Sequence, residues 1–223
     1  MKNKHAIILG ATGATGRELV FQLLNDTDFS SVSIFVRRSP ALNHKKLTVH
    51  KIDFSRLEQY RDLIKGNILF SCLGTTLKDA GSKEKQYQVD YTYQYKFAKA
   101  ASENGVSNYS LVSSTGANEK SSFFYPKIKG KLEEAVKKLP FKTIQIFQPP
   151  TLIRQQDLIR TGEKIALKVF RGLNRLGILN SQKPLAVSDL AMMMICEVKA
   201  SQKPKLKIYK PKECFFGNQT KSQ

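Results

Sequence analysis

The sequence contains no tryptophan, only three cysteines and no long apolar run. Cys72, Cys196 and Cys214 are an odd number without metal-like spacing, so neither a disulfide framework nor a zinc site is predicted. No run approaches the roughly 20 apolar residues that span a membrane, and the run at residues 6–9 is too short for a signal peptide. We therefore expect a cytoplasmic protein with no metal site and no membrane segment.

Acidic residues are also scarce, with 18 Asp and Glu against 37 Lys and Arg, which gives a formal net charge of +19. Such a charge can attract nucleic acid, anionic lipid or a phosphate-bearing ligand. The lysines are scattered, become denser between Lys203 and Lys212, and lack the interleaved aromatic residues that stack on bases. The sequence thus predicts a solvated basic surface without a specific nucleic-acid or membrane partner.

Short apolar runs alternate with amphipathic stretches, and this alternation predicts a doubly wound parallel sheet of the α/β class. The predicted strands are His5–Leu9, Val32–Val36, Leu47–Ile52, Asn67–Leu73, Tyr109–Ser113 and Thr143–Phe147. The predicted helices are Arg17–Leu24, one that includes Tyr60–Ile64, Lys83–Asn104 with Gly105 as its C-cap glycine, and one from Tyr125 to about Lys138.

The length of 223 residues suits one domain, residues 1–223, with a single large core. The alternation weakens beyond Pro149-Pro150. We expect about 151–223 to supply a small cap on the substrate side, with residues 185–195 returning to the core as a strand and a helix.

The stretch GATGATG, residues 10–16, directly follows the first predicted strand. Gly10, Gly13 and Gly16 would permit a tight turn, close approach of the backbone to a pyrophosphate and close packing of helix on strand. The helix that follows would present its N–H groups and positive dipole end to the phosphates. The pattern predicts a dinucleotide-binding loop, and the alternative is a glycine-rich turn that binds nothing.

Two arginines, Arg37 and Arg38, end the second predicted strand. Roughly 20 residues beyond a dinucleotide loop, NAD-binding proteins place a carboxylate that bonds the ribose 2′-hydroxyl. No Asp or Glu occurs between Asp28 and Asp53, and guanidinium groups suit a 2′-phosphate. The expected cofactor is therefore NADP, and the alternative is a pair of surface arginines.

The stretch YPKIK places Tyr125 and Lys129 on one face of a helix, with Pro126 in its first turn. Beside a nicotinamide, the ammonium would stabilise the phenolate, so that the tyrosine could exchange a proton with a substrate oxygen while hydride moves. Ser113-Ser114 closes the preceding strand and offers a hydroxyl to the same oxygen. An exposed tyrosine with an unrelated lysine is the alternative, and the order of the motifs favours the Ser-Tyr-Lys site.

This order resembles the short-chain dehydrogenase/reductase family. Over about residues 5–195 the chain is similar to its atypical branch, typified by the Tat-interacting oxidoreductase-like proteins. The similar stretches are CLGTT (72–76), KDAG (78–81), QVDYTY (88–93), LVSSTGA (111–117), SSFFYPKIKGKLEE (121–134) and RTGE (160–163). The resemblance implies an NAD(P)-binding Rossmann fold and an NADP-dependent oxidoreductase that transfers hydride to or from a small carbonyl or alcohol substrate.

The resemblance also implies roles for single residues. Ser114, Tyr125 and Lys129 would be catalytic, and Tyr125 and Lys129 would also touch the cofactor. The other cofactor-binding residues would be Gly10, Thr12, Gly13, Ala14, Thr15 and Gly16 at the phosphates, Arg37 and Arg38 at the 2′-phosphate, Asp53 at adenine, Leu73 and Gly74 along the adenosine, and Leu152 and Arg160 near the nicotinamide.

Two positions depart from the pattern of the branch. Gln148-Pro149-Pro150 replaces the usual Arg-Pro-Gly, and Asp90 stands where many family members place an Asn that relays protons. Two other functions stay open: a regulatory protein that senses NADPH for a protein partner, and a sugar-nucleotide epimerase, for which the chain looks short. The sequence does not decide between a monomer and a homodimer.

Overall fold

The computed structural model describes residues 3–154, 183–200 and 204–215. Its strands are β1 (Lys4–Leu9), β2 (Phe29–Val36), β3 (Leu47–Lys51), β4 (Ile68–Ser71), β5 (Asn108–Val112), β6 (Thr143–Phe147), β7 (Leu152–Ile153), β8 (Leu185–Ala186) and β9 (Leu206–Tyr209). Seven of them form one parallel sheet in the order β3-β2-β1-β4-β5-β6-β9, and β7 pairs with β8. This arrangement confirms the predicted doubly wound α/β fold.

The α-helices are α1 (Ala14–Asn25), α2 (Leu77–Ala80), α3 (Lys83–Tyr87), α4 (Gln94–Glu103), α5 (Phe124–Lys137) and α6 (Val187–Lys199). Two 3₁₀ segments, Phe54–Leu63 and Pro211–Cys214, also occur in the described chain. A π-helical segment, Gln88–Tyr93, joins α3 to α4. No helix among these described residues is long and apolar enough to cross a membrane.

The predicted helix Lys83–Asn104 therefore forms as one run with a wider turn in its middle. It ends as expected at Gly105, whose φ of +81° lies in the left-handed region. The N–H of Val106 then bonds the carbonyl of Ala101 at 3.0 Å, which satisfies a carbonyl of the last turn. The helix predicted to include Tyr60–Ile64 is instead the first 3₁₀ segment, which contains non-helical dihedrals at Arg56.

The core lies on both faces of the sheet, as expected for buried parallel strands. On β1, Ala6 and Ile8 face one side, where α1 and α6 pack. Ile7 and Leu9 face the other side, where the first 3₁₀ segment, α4 and α5 pack. Alternation of side chains along β1 thus divides the core into two layers, one on each face of the sheet.

The C-terminal third contributes to this core. The predicted return at residues 185–195 forms as β8 and α6, and β9 adds a strand beside β6 that is not among the predicted strands. Residues 155–182, 201–203 and 216–223, which make up just over half of the predicted cap, lie outside the described residues. The cap therefore stays a prediction.

Candidate functional site

The glycine loop, residues 10–16, connects β1 to α1. At two of its glycines a side chain would collide with the backbone. Gly10 has a φ of +88°, and a Cβ there would lie 2.5 Å from the nitrogen of Leu73. A Cβ at Gly16 would lie 2.1 Å from the carbonyl oxygen of Gly10. Packing alone therefore requires these two glycines. Gly13 is different, because a Cβ there would meet only that same oxygen, at 3.3 Å.

Two cavities adjoin at the carboxyl ends of the strands. The arginine cavity, of about 780 Å³, is lined by Arg37, Asp53 and Tyr93 among others. The tyrosine cavity, of about 810 Å³, has a lining of 19 described residues: Thr12, Gly13, Ala14, Thr15, Cys72, Leu73, Gly74, Thr75, Thr76, Leu77, Lys83, Gln86, Val112, Ser113, Phe124, Tyr125, Lys129, Leu152 and Arg154. Residues 73–75 line both cavities, which therefore form one cleft.

The cleft lies where the strand order reverses. The chain leaves β1 toward β2 and β3 on one side, and β4 to β6 continue on the other side. Thr12 and Gly13 follow β1 and residues 72–76 follow β4, so the loops after these two strands both line the cleft. In open parallel sheets this point is where ligands bind.

Of the two arginines predicted to bind the 2′-phosphate, one lines the arginine cavity. Arg37 is exposed and lines it, whereas Arg38 is exposed and lies outside its lining. Asp53 lies in the same lining and caps the first 3₁₀ segment, accepting from the hydroxyl of Ser55 at 2.7 Å and from its N–H at 2.9 Å. These two hydrogen bonds hold the pKa of Asp53 below its usual value.

Tyr125 and Lys129 both reach the tyrosine cavity from α5. The helix begins at Phe124, so Tyr125 and Pro126 lie in its first turn. Tyr125 is 41% exposed, whereas Lys129 is only 3% exposed. The ammonium of Lys129 lies 3.4 Å from the carbonyl oxygen of Val112 at the end of β5. The structure thus brings together the tyrosine and the lysine that the sequence predicted.

Asp90 is the charged partner of Lys129. Its carboxylate is 1% exposed, lies 3.8 Å from the ammonium and accepts a hydrogen bond from the N–H of Thr75 at 3.1 Å. Burial raises the pKa of Asp90, while Lys129 and the N–H of Thr75 act in the opposite direction. A sequence signal for this buried carboxylate exists. Asp90 lies at helical spacing from Gln94 and Phe97, on the face of the helix that is buried.

The two serines at the end of β5 differ in their surroundings. Ser113 lines the tyrosine cavity, and its hydroxyl donates to the carboxylate of Glu133, which is 4% exposed. The hydroxyl of Ser114 is buried and has no hydrogen-bond partner among the described residues, and Ser114 is outside the lining. The predicted catalytic role of Ser114 stays a prediction.

Gln148, at the position that departs from the pattern of the branch, contacts the same carboxylate. Its amide donates to both oxygens of Glu133 at 3.0 Å, and its own oxygen accepts from the ammonium of Lys210 at 3.0 Å. At this position the amide of Gln148, in place of the usual arginine, donates the hydrogen bonds to the charged carboxylate of Glu133. Leu152 lines the tyrosine cavity, and Arg160 lies outside the described residues.

A parallel sheet of this order, with a glycine loop leading into a helix and a cleft at the point of reversal, defines a dinucleotide-binding protein of the Rossmann type. Residues 10–139 match a family model described as NAD(P)H-binding. The chain belongs to this NAD(P)H-binding family.

Relatives of known sequence support the same assignment. The chain is 35% identical to Protein HTATIP2 of Rattus norvegicus over 177 residues, which cover 78% of this chain and 73% of that protein. It is 32% identical to Protein FMP52, mitochondrial, of Candida albicans over 194 residues, which cover 84% and 85%. These relatives confirm the resemblance to the Tat-interacting oxidoreductase-like branch.

A solved structure shares the fold at low sequence identity. The Bordetella bronchiseptica enzyme WbmH in complex with NAD⁺ is similar, with a TM-score of 0.72 and 13% identity over 93% of this chain and 75% of that chain. The likeness confirms the Rossmann architecture.

Proposed function

We propose that the protein is an NADP-dependent oxidoreductase that transfers hydride to or from a small carbonyl or alcohol substrate. One observation carries the proposal: a single cleft contains Arg37 at one end and Tyr125 with Lys129 at the other. The relation to an NAD(P)H-binding family supports a dinucleotide between them.

The described residues fit such a cofactor. Gly13 forms the N-cap of α1 without a side chain, and residues 12–15 line the tyrosine cavity, so the backbone can approach a pyrophosphate. Leu73 and Gly74 line both cavities and would follow the adenosine half. When bound, the nicotinamide would donate or accept hydride.

The side chains of α5 would handle the proton. Tyr125 would donate its phenolic proton to the carbonyl oxygen during reduction and recover it during the reverse reaction. The ammonium of Lys129, fixed by Asp90 and by the carbonyl of Val112, would stabilise the phenolate. Ser114 is the candidate for a hydroxyl that polarises the substrate oxygen.

The charged residues near the expected ribose position support NADP rather than NAD as the cofactor. Arg37 lines the arginine cavity, and no carboxylate occurs on the chain between Asp28 and Asp53 to bond a free ribose 2′-hydroxyl. Arg38 would join it at the 2′-phosphate. Asp53 itself is engaged as the cap of the 3₁₀ segment, and we expect it to contact adenine.

The experiment that tests this function measures NADPH oxidation with a panel of carbonyl compounds for the unaltered protein and for Tyr125→Phe. We expect turnover to fall by about 10²–10⁴ in the variant, with NADPH affinity within about twofold. Equal turnover of the two proteins would contradict the catalytic role of Tyr125. Tight NADPH binding without turnover of any compound would favour the regulatory NADPH-sensing protein.

Location and partners remain expectations. The cysteine usage predicts the cytoplasm, whereas the fungal relative named mitochondrial suggests the alternative, and cell fractionation with immunoblotting distinguishes the two. We expect a small-molecule substrate and no specific nucleic acid. Analytical ultracentrifugation will distinguish a monomer from a homodimer.

A further inference from the structure

Ser113 places an oriented hydroxyl group at the wall of the tyrosine cavity. The residue directly follows β5, is 6% exposed and lines this cavity. Its hydroxyl contacts a buried carboxylate, that of Glu133 on α5. A hydroxyl has one hydrogen to donate and two lone pairs that accept. The direction of the contact with Glu133 therefore decides what Ser113 can offer to a ligand.

This direction is set by a network that begins at the surface of the protein. The ammonium of Lys210, an exposed residue directly after β9, lies 3.0 Å from the amide oxygen of Gln148. An ammonium can only donate, so the amide oxygen of Gln148 faces Lys210 and the amide nitrogen faces Glu133. That nitrogen lies 3.0 Å from each oxygen of the carboxylate. Both oxygens of Glu133 therefore accept, which is the pattern of an ionised carboxylate.

An ionised carboxylate has no hydrogen to give, so the hydroxyl of Ser113 donates to Glu133. A hydrogen bond to a charged group is stronger than a neutral one, and it keeps the hydroxyl in this orientation. No group in the described parts of the chain donates to the oxygen of Ser113 in return. Ser113 therefore presents lone pairs, and not its hydrogen, to the tyrosine cavity.

The neighbouring walls suit a small ligand with an apolar body. Leu77, Phe124 and Leu152 line the same cavity as Ser113. A fixed polar group in such a lining selects the ligand group beside it, because a buried polar atom left without a partner is costly. A carbonyl oxygen next to Ser113 would face a second acceptor, whereas a hydroxyl or an N–H would be bound.

We propose that Ser113 accepts a hydrogen bond from the substrate, which therefore carries a hydroxyl or N–H group in addition to the carbonyl that meets Tyr125. Glu133 is a positioning residue, because it holds the hydrogen of Ser113 away from the ligand. The proposal rests on the proposed function for the carbonyl reaction and on the network around Glu133 for the direction of the hydrogen bond. Ser113 consequently does not polarise the carbonyl, and that role stays with Ser114.

Two neutral probes of the same shape test the direction of this hydrogen bond without requiring turnover. Indole presents an N–H where benzofuran presents an oxygen, and neither carries a charge that the basic surface would attract. Each probe is titrated calorimetrically into the protein at saturating NADP⁺. We expect indole to bind about 3- to 10-fold more tightly than benzofuran, the effect of one neutral hydrogen bond.

Substitutions in the network should change this preference in different ways. Ser113→Ala removes the acceptor and should make the two affinities equal. Glu133→Gln keeps the size of the side chain, but the new amide must direct its oxygen to the nitrogen of Gln148 and its own nitrogen to Ser113. The hydroxyl of Ser113 should then turn its hydrogen toward the cavity, so that benzofuran binds at least as tightly as indole. Glu134→Gln is the matched control, because this carboxylate is 45% exposed and pairs with Lys137 at 2.6 Å, and the preference for indole should stay.

Equal or undetectable binding of the two probes to the unaltered protein would overturn the proposal. A preference for indole that survives in Ser113→Ala, or that is unchanged in Glu133→Gln, would also overturn it. If Ser113→Ala does not fold, the result for Glu133→Gln decides alone. A loss of NADP⁺ affinity of about tenfold in Ser113→Ala would assign the acceptor to the cofactor and so contradict its assignment to the substrate.

Turnover separates this proposal from the proposed function. The carbonyl compounds are indole-5-carbaldehyde and benzofuran-5-carbaldehyde, and the ratio of their kcat/KM values is compared between the unaltered protein and Ser113→Ala, which cancels their intrinsic reactivities. A ratio that falls about 3- to 10-fold in the variant supports both proposals. An unchanged ratio would refute the donor-bearing substrate and keep the oxidoreductase. Reduction of neither compound, with the preference for indole intact, would count against the oxidoreductase while supporting the acceptor site.

Discussion

The ammonium of Lys129 lies 3.8 Å from the carboxylate of Asp90, and both side chains are almost completely buried, with 3% and 1% of their surface exposed. A buried charge is costly unless it is paired and hydrogen-bonded. Asp90 also accepts from the N–H of Thr75, so the pair connects the loop after β4 to α5. The same interaction fixes Lys129 at the wall of the tyrosine cavity.

Replacement of Asp90 by Asn should destabilise the fold. The substitution leaves the ammonium of Lys129 buried without its counter-charge, and such losses cost about 3–5 kcal/mol. Urea unfolding at neutral pH measures the change. Asp62→Asn, at an exposed position of the first 3₁₀ segment, should alter stability by less than about 0.5 kcal/mol. A similar small change for Asp90→Asn would show that the pair does not contribute to the stability of the fold.

Cofactor selectivity should depend on Arg37 more than on Arg38. Arg37 lines the arginine cavity and its neighbour does not, so Arg37→Ala should weaken NADP⁺ binding by about 10- to 100-fold, the effect of one charge-assisted hydrogen bond. NAD⁺ binding should change little, and Arg38→Ala should have the smaller effect on NADP⁺. Calorimetric titration of the unaltered protein and of both variants with each of the two cofactors measures this. Equal affinity of the unaltered protein for NAD⁺ and NADP⁺ would refute the assignment of the arginine cavity to the 2′-phosphate.

Replacement of the two serines at the end of β5 by alanine should affect different properties: stability for Ser113 and turnover for Ser114. Ser113→Ala removes a donor from the buried carboxylate of Glu133 and should cost about 1–3 kcal/mol of stability. Ser114→Ala removes a buried hydroxyl that has no partner within the described chain, so its effect on stability should be near zero. If Ser114 polarises the substrate, its loss should nevertheless reduce turnover by about 10²- to 10³-fold. Unchanged turnover of Ser114→Ala would exclude Ser114 from the site and leave Ser113 as the remaining serine.

The elements that the sequence predicted well are those whose signals are local. The apolar runs of β1 and β6, the glycine loop and the left-handed Gly105 each depend on residues within a few positions of one another. The strand β9 is not predicted because Leu206 and Ile208 alternate with Lys205 and Lys207, a pattern that also suits a solvated basic stretch.

Contacts between distant segments could not be predicted in the same way. Asp90 meets Lys129 because the π-helical segment and α5 pack side by side, and a hydrophobic pattern does not specify where a wide turn occurs. Gln148, directly after β6, contacts Glu133 of α5 and Lys210, which directly follows β9. Such networks depend on how the whole sheet packs, so the sequence alone does not predict which groups Gln148 contacts.

Two glycines of the loop provide a test of whether the loop binds phosphate or is only a turn. At Gly16 an added Cβ would meet backbone atoms of Gly10 at 2.1 Å and 2.8 Å, so the backbone must move. Gly16→Ala should therefore destabilise the fold by about 1–3 kcal/mol, as overpacking does. At Gly13 the φ of −79° suits any residue, and the only close atom is the Gly10 oxygen at 3.3 Å.

Gly13→Ala should consequently change the free energy of unfolding by less than about 1 kcal/mol, because its backbone conformation is not strained by a Cβ. Its NADPH affinity should nevertheless fall at least about tenfold, since the methyl group would stand where the backbone must approach the pyrophosphate. Urea unfolding and NADPH fluorescence titration of the two variants separate packing from binding, and Gly16→Ala serves as the packing control. A Gly13→Ala protein that binds NADPH as tightly as the unaltered chain would mean that residues 10–16 connect β1 to α1 without holding the phosphates.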